Sequence, residues 1–209
     1  MLVVCLVAGF FLVRFVSNKA QELAVQYTSE EQVEILPPAL TAQETNSVVV
    51  RFDAFRDALA SGQQPPVLEL TDEEINTLIF HHPDFQDLAG KARVAIENGQ
   101  VASEVSLDID ALGVPIPLIG DAVKDRFFNG EIALTIGMVG GRPVVNLEDV
   151  SVNGVTPPET VMAELRKENL LQDYDQDPEM KAFFDKIEAI EVEGNQLRIV
   201  PKGASGLPE

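Results

Sequence analysis

The sequence predicts an α+β domain: a curved antiparallel sheet of two main hairpins plus a C-terminal hairpin, packed on segregated helices, behind an N-terminal hydrophobic helix. Three observations carry that expectation. Two stretches between Lys91 and Val152 alternate apolar and polar residues around two-residue turns. A shorter pair of the same kind follows at Ile190–Ile199. Helical periodicity is confined to the segments on either side of the main hairpins, which is the pattern of segregated helices on an antiparallel sheet.

Met1 to Val16 is apolar except for Arg14. As a helix it would be roughly 24 Å long, against a hydrocarbon core of about 30 Å. The expectation is a transmembrane signal-anchor over residues 1–19, whose short run implies a start site placed too far downstream, a helix that oligomerises, or flanks that snorkel through Arg14 and Lys19. No basic segment precedes the run and no small-x-small cleavage site follows before Gln21, which argues against a cleaved signal. Arg14 and Lys19 both follow the apolar run, which by the positive-inside rule holds the body in the cytoplasm unless charges on the other flank outweigh them. Residues 20–46 are polar around Pro37-Pro38 and read as a stalk, with an α+β domain over 47–202 and a loose tail over 203–209.

Thr41 and Glu44 have capping-box spacing and open a helix to about Ala60, with Val48, Phe52, Phe55 and Leu59 on one face. Val67–Leu70 is extended. Thr71 and Glu74 form a second capping box, and Ile75, Leu78, Ile79 and His82 line one face of the helix that follows. Pro83 ends it. That helix is the first candidate to cover the sheet.

In the first hairpin a turn at Asn98-Gly99 sets Ile96 opposite Val101 and Arg93 opposite Glu104. A one-residue slip would put the apolar row in water. In the second, Gly140-Gly141 sets Ile136 opposite Val145 and Leu134 opposite Leu147. Apolar parity then changes at Asp149, because Val150 and Val152 lie on the other phase, and a β-bulge there restores it. Pro143 cannot donate to a ladder and belongs at a strand start or an edge. The connection Leu112–Ile119 is apolar and broken by prolines. Thr156-Pro157-Pro158-Glu159 reads as an N-cap, a proline at the first helical position and a capping glutamate, with Val161, Met162 and Leu165 as the apolar stripe. A further helix opens at Asp177-Pro178 and carries Met180, Phe183, Phe184 and Ile187. The last hairpin turns at Gly194-Asn195 with Glu191 opposite Arg198.

Net charge is −19, from 34 acidic and 15 basic residues. Such a chain lacks the Lys/Arg clusters that bind phosphates, so no nucleic acid is expected as a partner, nor an anionic lipid surface under the body. Cys5 alone excludes an intrachain disulfide. His81-His82 points about 100° apart on a helix, with no third His or Cys, and His82 reads as a core residue. Asp173-Tyr174-Asp175-Gln176-Asp177 has calcium-loop spacing, but Pro178 replaces the glycine and Phe184 the bidentate glutamate. No nucleophile elbow and no phosphate loop occur, and no carboxylate pair stands out as acid and base. No metal, no cofactor and no enzymatic activity are expected.

Leu70-Thr71-Asp72-Glu73-Glu74-Ile75-Asn76, Phe127-Phe128-Asn129-Gly130, Asn153-Gly154 with Pro157-Pro158-Glu159, and Ile190–Leu197 together resemble the YpmS-like group of uncharacterised bacterial envelope proteins. The likeness spans residues 67–202 and rests on turns and caps. It implies a membrane-anchored body outside the cytoplasm, on the outer face of the cytoplasmic membrane or in the periplasm. Such curved domains also bear a distant likeness to tubular lipid-binding modules. Two roles are therefore expected. One is a membrane-held module binding a lipid or other apolar ligand along Val101, Val105, Leu107, Ile132, Leu134 and Ile136. The other is a non-catalytic structural or protein-interaction domain of the envelope whose apolar face is filled by its own helices. The partners are accordingly the membrane, through the N-terminal helix, and a lipid or an envelope protein.

Overall fold

A computed structural model of the chain describes residues 26–97, 99–110 and 124–204. The expected anchor, the Leu112–Ile119 connection, Asn98 and the end of the tail lie outside the described residues. Helix α1 (Ala42–Ala60) leads to strand β1 (Leu68–Thr71), helix α2 (Asp72–His81) and a 3-10 helix (Pro83–Leu88). Strands β2 (Ala92–Glu97), β3 (Gln100–Asp108), β4 (Phe127–Val139) and β5 (Arg142–Val152) follow. Helices α3 (Glu159–Leu165) and α4 (Pro178–Phe184) come next, and β6 (Ile187–Glu193) and β7 (Gln196–Pro201) close the domain.

The fold is α+β with antiparallel sheets, but the strands form two sheets rather than one. The first has order β2-β3-β4-β5; the second has order β1-β7-β6. The C-terminal hairpin takes β1 as its third strand instead of extending the main sheet, pairing Leu68 with Ile199 and Leu70 with Leu197. The sheets meet where β4 passes β6. There a Cβ on Gly137 would stand 3.8 Å from the Ile190 carbonyl oxygen.

The registers agree with the turn chemistry. Ile96 faces Val101 and Arg93 faces Glu104. Ile136 faces Val145 and Leu134 faces Leu147. Gly140 and Gly141 both have positive φ, 60° and 77°, the requirement of a tight two-residue turn. Between Ala133 opposite Asp149 and Leu134 opposite Leu147 one residue is extra, so the bulge is at Glu148, one position before the parity change. It lets Val145, Leu147, Val150 and Val152 all enter the core.

Both capping boxes form, at Thr41/Glu44 and Thr71/Glu74. The expected cap at Thr156 does not. With two consecutive prolines the first is driven from helical geometry by the second, and α3 begins only at Glu159, Pro158 sitting at the N-cap without a side-chain bond. Asp177 does cap α4, accepting from the Glu179 and Met180 amides at 2.8 and 3.2 Å. That helix stops at Phe184, so Ile187 is buried as the first residue of β6 instead of on the helix.

Two apolar clusters hold the layers. One gathers the inner face of the four-stranded sheet with Ile79, Leu88, Met162, Leu165 and Leu171. The other joins Val48, Phe55 and Leu59 of α1 to Leu68, Leu70, Leu78 and Ile187. Each outer edge of the four-stranded sheet is closed by one asparagine. Asn76 on α2 donates to the Val94 carbonyl and accepts from the Val94 amide, both at 2.7 Å. Asn169 accepts from the Val145 amide at 2.9 Å and donates to the Pro143 carbonyl at 3.0 Å. Pro143 is thus near the start of an edge strand, where its missing N–H is not needed.

Candidate functional site

The six aliphatic residues expected to line an apolar site do share one face of the sheet. Five are buried and Ile136 is half-buried against them. Val105, Leu107, Ile132 and Leu134 belong to the cluster that α2, α3 and the loops around them complete, so the face is occupied by the chain's own side chains. Phe128 is fully buried on the same face. Its ring lies over Gly130, where an added Cβ would come within 2.8 Å of it.

The opposite face carries the open surface. Across the four strands, Arg93, Glu104, Glu131 and Ser151 stand in one row, and Ala95, Ala102 and Ala133 in the next. A further row holds Ser106 opposite Asn129. This last row is covered. Residues 26–35, within the stretch expected to be a stalk, cross it as a strap on the folded body. Ser29 and Phe127 exchange two backbone bonds of 2.8 Å. The Asn129 amide donates to the Glu31 carbonyl at 2.8 Å, and the Val33 amide donates to Ser106 Oγ at 3.1 Å. Ser106 Oγ in turn donates to Asn129 Oδ1 at 2.6 Å. Arg126 donates to the Thr28 hydroxyl and carbonyl and pairs with Glu30. Tyr27 and Ile35 are buried at the two ends of the strap. Burial raises the Tyr27 phenol above its ordinary pKa.

Beside the strap lies a groove of about 390 Å³ between Glu31, Gln32 and Val33 on one wall and Glu104, Glu131 and Ser151 on the sheet. A second hollow of about 310 Å³, reaching Asp72 and Arg93, shares Glu104 and Glu131 with it. Glu104 and Glu131 are directly opposed on neighbouring strands; Arg93 stands opposite Glu104 on its other side, while Glu131 has Ser151 as its other neighbour.

The other sequence candidates have structural roles. His82 is buried beside Phe52 and Phe85, accepts the Asp84 amide on Nδ1 at 3.1 Å, and donates from Nε2 to Asp53 at 2.9 Å. Asp177 is spent on its helix cap and Asp175 pairs with Arg142. Three residues that bind main chain were not singled out from sequence: Asn76, Asn129 and Asn169. The first two sit in motifs noted for another reason, and the signal was a buried-type position occupied by a side chain with both a donor and an acceptor.

No protein-family model, no curated protein and no solved structure matches this chain. Among the described residues no helix is long and apolar enough to cross a membrane.

Proposed function

We propose that this chain is a non-catalytic interaction domain of the bacterial envelope, tethered by its hydrophobic leader with the body outside the cytoplasm. The observation that supports this most is the closed apolar face: Val105, Leu107, Ile132 and Leu134 are each under 5% exposed among the chain's own side chains. A lipid seated there would have to displace α2 or α3. The accessible face is instead the polar one, lined by Glu104 and Glu131, and a chain of net charge −19 repels anionic headgroups while attracting cationic partners. The leader's apolar run and the envelope-type motifs at Leu70–Asn76 and Phe127–Gly130 support the tethered placement.

Two measurements test the reading. Native mass spectrometry of the full chain released from detergent is expected to give the bare chain mass; a stoichiometric apolar adduct would overturn the closed-core role. A reporter fused after Glu209 is expected to be active only when it lies outside the cytoplasm, and activity inside would overturn the placement.

A further inference from the structure

We propose that the face under the strap is a peptide-binding site, held in this structure by the chain's own residues 26–35, and that its external ligand is an extended, cationic segment of another polypeptide. This deepens the interaction-domain reading and rests on it.

The site recognises backbone. Between the anchored ends of the strap, the sheet binds Ser29, Glu31 and Val33 through their amides and carbonyls. The side chains of Glu31, Gln32, Val33 and Glu34 are exposed. The groups that do the binding are built for it: Ser106 is fully buried and Asn129 is 9% exposed, both polar and both aimed at the strap. From Ser29 to Val33 the contacts made by Phe127, Asn129 and Ser106 read main chain, as edge-strand addition does, and Arg126 adds side-chain contacts to Thr28 and Glu30.

The native occupant is electrostatically mismatched. Its Glu31 faces the groove that Glu104 and Glu131 also line. Arg126, the cation at the strap, is committed to Thr28 and Glu30. A segment bearing lysine or arginine at alternate positions would set its ammonium or guanidinium groups over Glu104 and Glu131, and complementary charge of this kind favours encounter as well as register. The hollows of about 390 and 310 Å³, both lined by Glu104 and Glu131, leave room for those side chains beside the backbone track.

The experiment uses the full chain in non-ionic detergent, in a Cys5→Ser background. Ser29→Cys with Phe127→Cys can be oxidised to pin the strap, since a mutually bonded antiparallel pair has Cα atoms about 5.5 Å apart, within disulfide reach of about 4.4–6.8 Å. Binding of a fluorescein-labelled octapeptide of alternating lysine and valine is read by anisotropy, against an alternating glutamate and valine octapeptide. The cationic peptide is expected to bind the reduced protein and to lose at least about tenfold in affinity on oxidation, a change of about 1.4 kcal/mol. Glu104→Gln with Glu131→Gln, both exposed, is expected to weaken it to a similar degree with an unfolding midpoint no lower than that of the native chain, since the change also relieves like-charge repulsion across the strands. Equal affinity with the strap pinned would overturn the site while leaving the interaction-domain reading standing. Equal binding of the acidic peptide, or no binding of either, would also overturn it.

Discussion

Asn76 lies on a helix, yet its side chain does the work of a strand. Its amide replaces the neighbour that Val94 would otherwise need, leaving no free donor or acceptor at the middle of the β2 edge. Asn76→Ala strands the Val94 amide and carbonyl beneath α2 and is expected to cost about 1–3 kcal/mol, read as a lower urea midpoint with an unchanged slope. Asn76→Asp keeps the shape but sets a carboxylate oxygen against the Val94 carbonyl, and is expected to recover little of that loss. Gly130 is limited differently. Gly130→Ala drives a methyl into the fully buried Phe128 ring and the Ser151 carbonyl, and is expected to cost about 1–3 kcal/mol by overpacking. The same urea titration checks it. Both residues were visible in the sequence as parts of recurring motifs, but their reasons were not. An asparagine in a helix pattern says nothing of which strand it will reach, and a glycine before Glu131 reads as a weak strand residue until the ring above it is placed.

Among the elements, local chemistry was legible wherever it was complete within a few residues. The hairpin registers followed from turn length alone, and the Glu148 bulge from a change of apolar parity. Thr41 and Glu44 cap α1 in the manner their spacing predicts. The Glu44 carboxylate accepts bonds from the Thr41 hydroxyl and amide, and these hold its pKa below the ordinary carboxylate value. A lowered folded pKa means that the unfolded chain binds the proton more tightly. The stabilisation is therefore complete above the ordinary carboxylate range and is lost as pH falls through the lowered value. Protection of the first-turn amides of α1, taken against the intrinsic exchange rate at each pH, is expected to fall over that acid window in the native chain and to show no such step in Glu44→Gln. Long-range choices were not legible. Nothing near Leu68 states that it will pair with Ile199, so the split into two sheets was hidden. Thr156 failed as a cap because the rule that favours proline at a helix start breaks down when two prolines are adjacent.

At the scale of the whole molecule, the two faces of the four-stranded sheet differ in what covers them. The apolar face, expected either to take a ligand or to be filled by the chain's own helices, packs against α2, α3 and the loops around them. The polar face carries a bound segment and a groove. Residues 26–35 were read as stalk because their composition is polar. Their attachment runs through Asn129, Ser106 and Arg126, more than 70 positions away, and local composition cannot report it. The strap adds Tyr27 and Ile35 to the buried set, so the body begins well before α1.

Residue-resolved hydrogen exchange on the full chain tests this division of the faces most directly. The amides of Ile132 and Leu134 in the central strand β4 are expected to exchange only through global unfolding, whereas those of Ser29 and Val33 open at a distinctly lower free energy. If Ser29 and Val33 proved as protected as Ile132 and Leu134, or if β4 opened first, the closed-core, open-strap account would be contradicted.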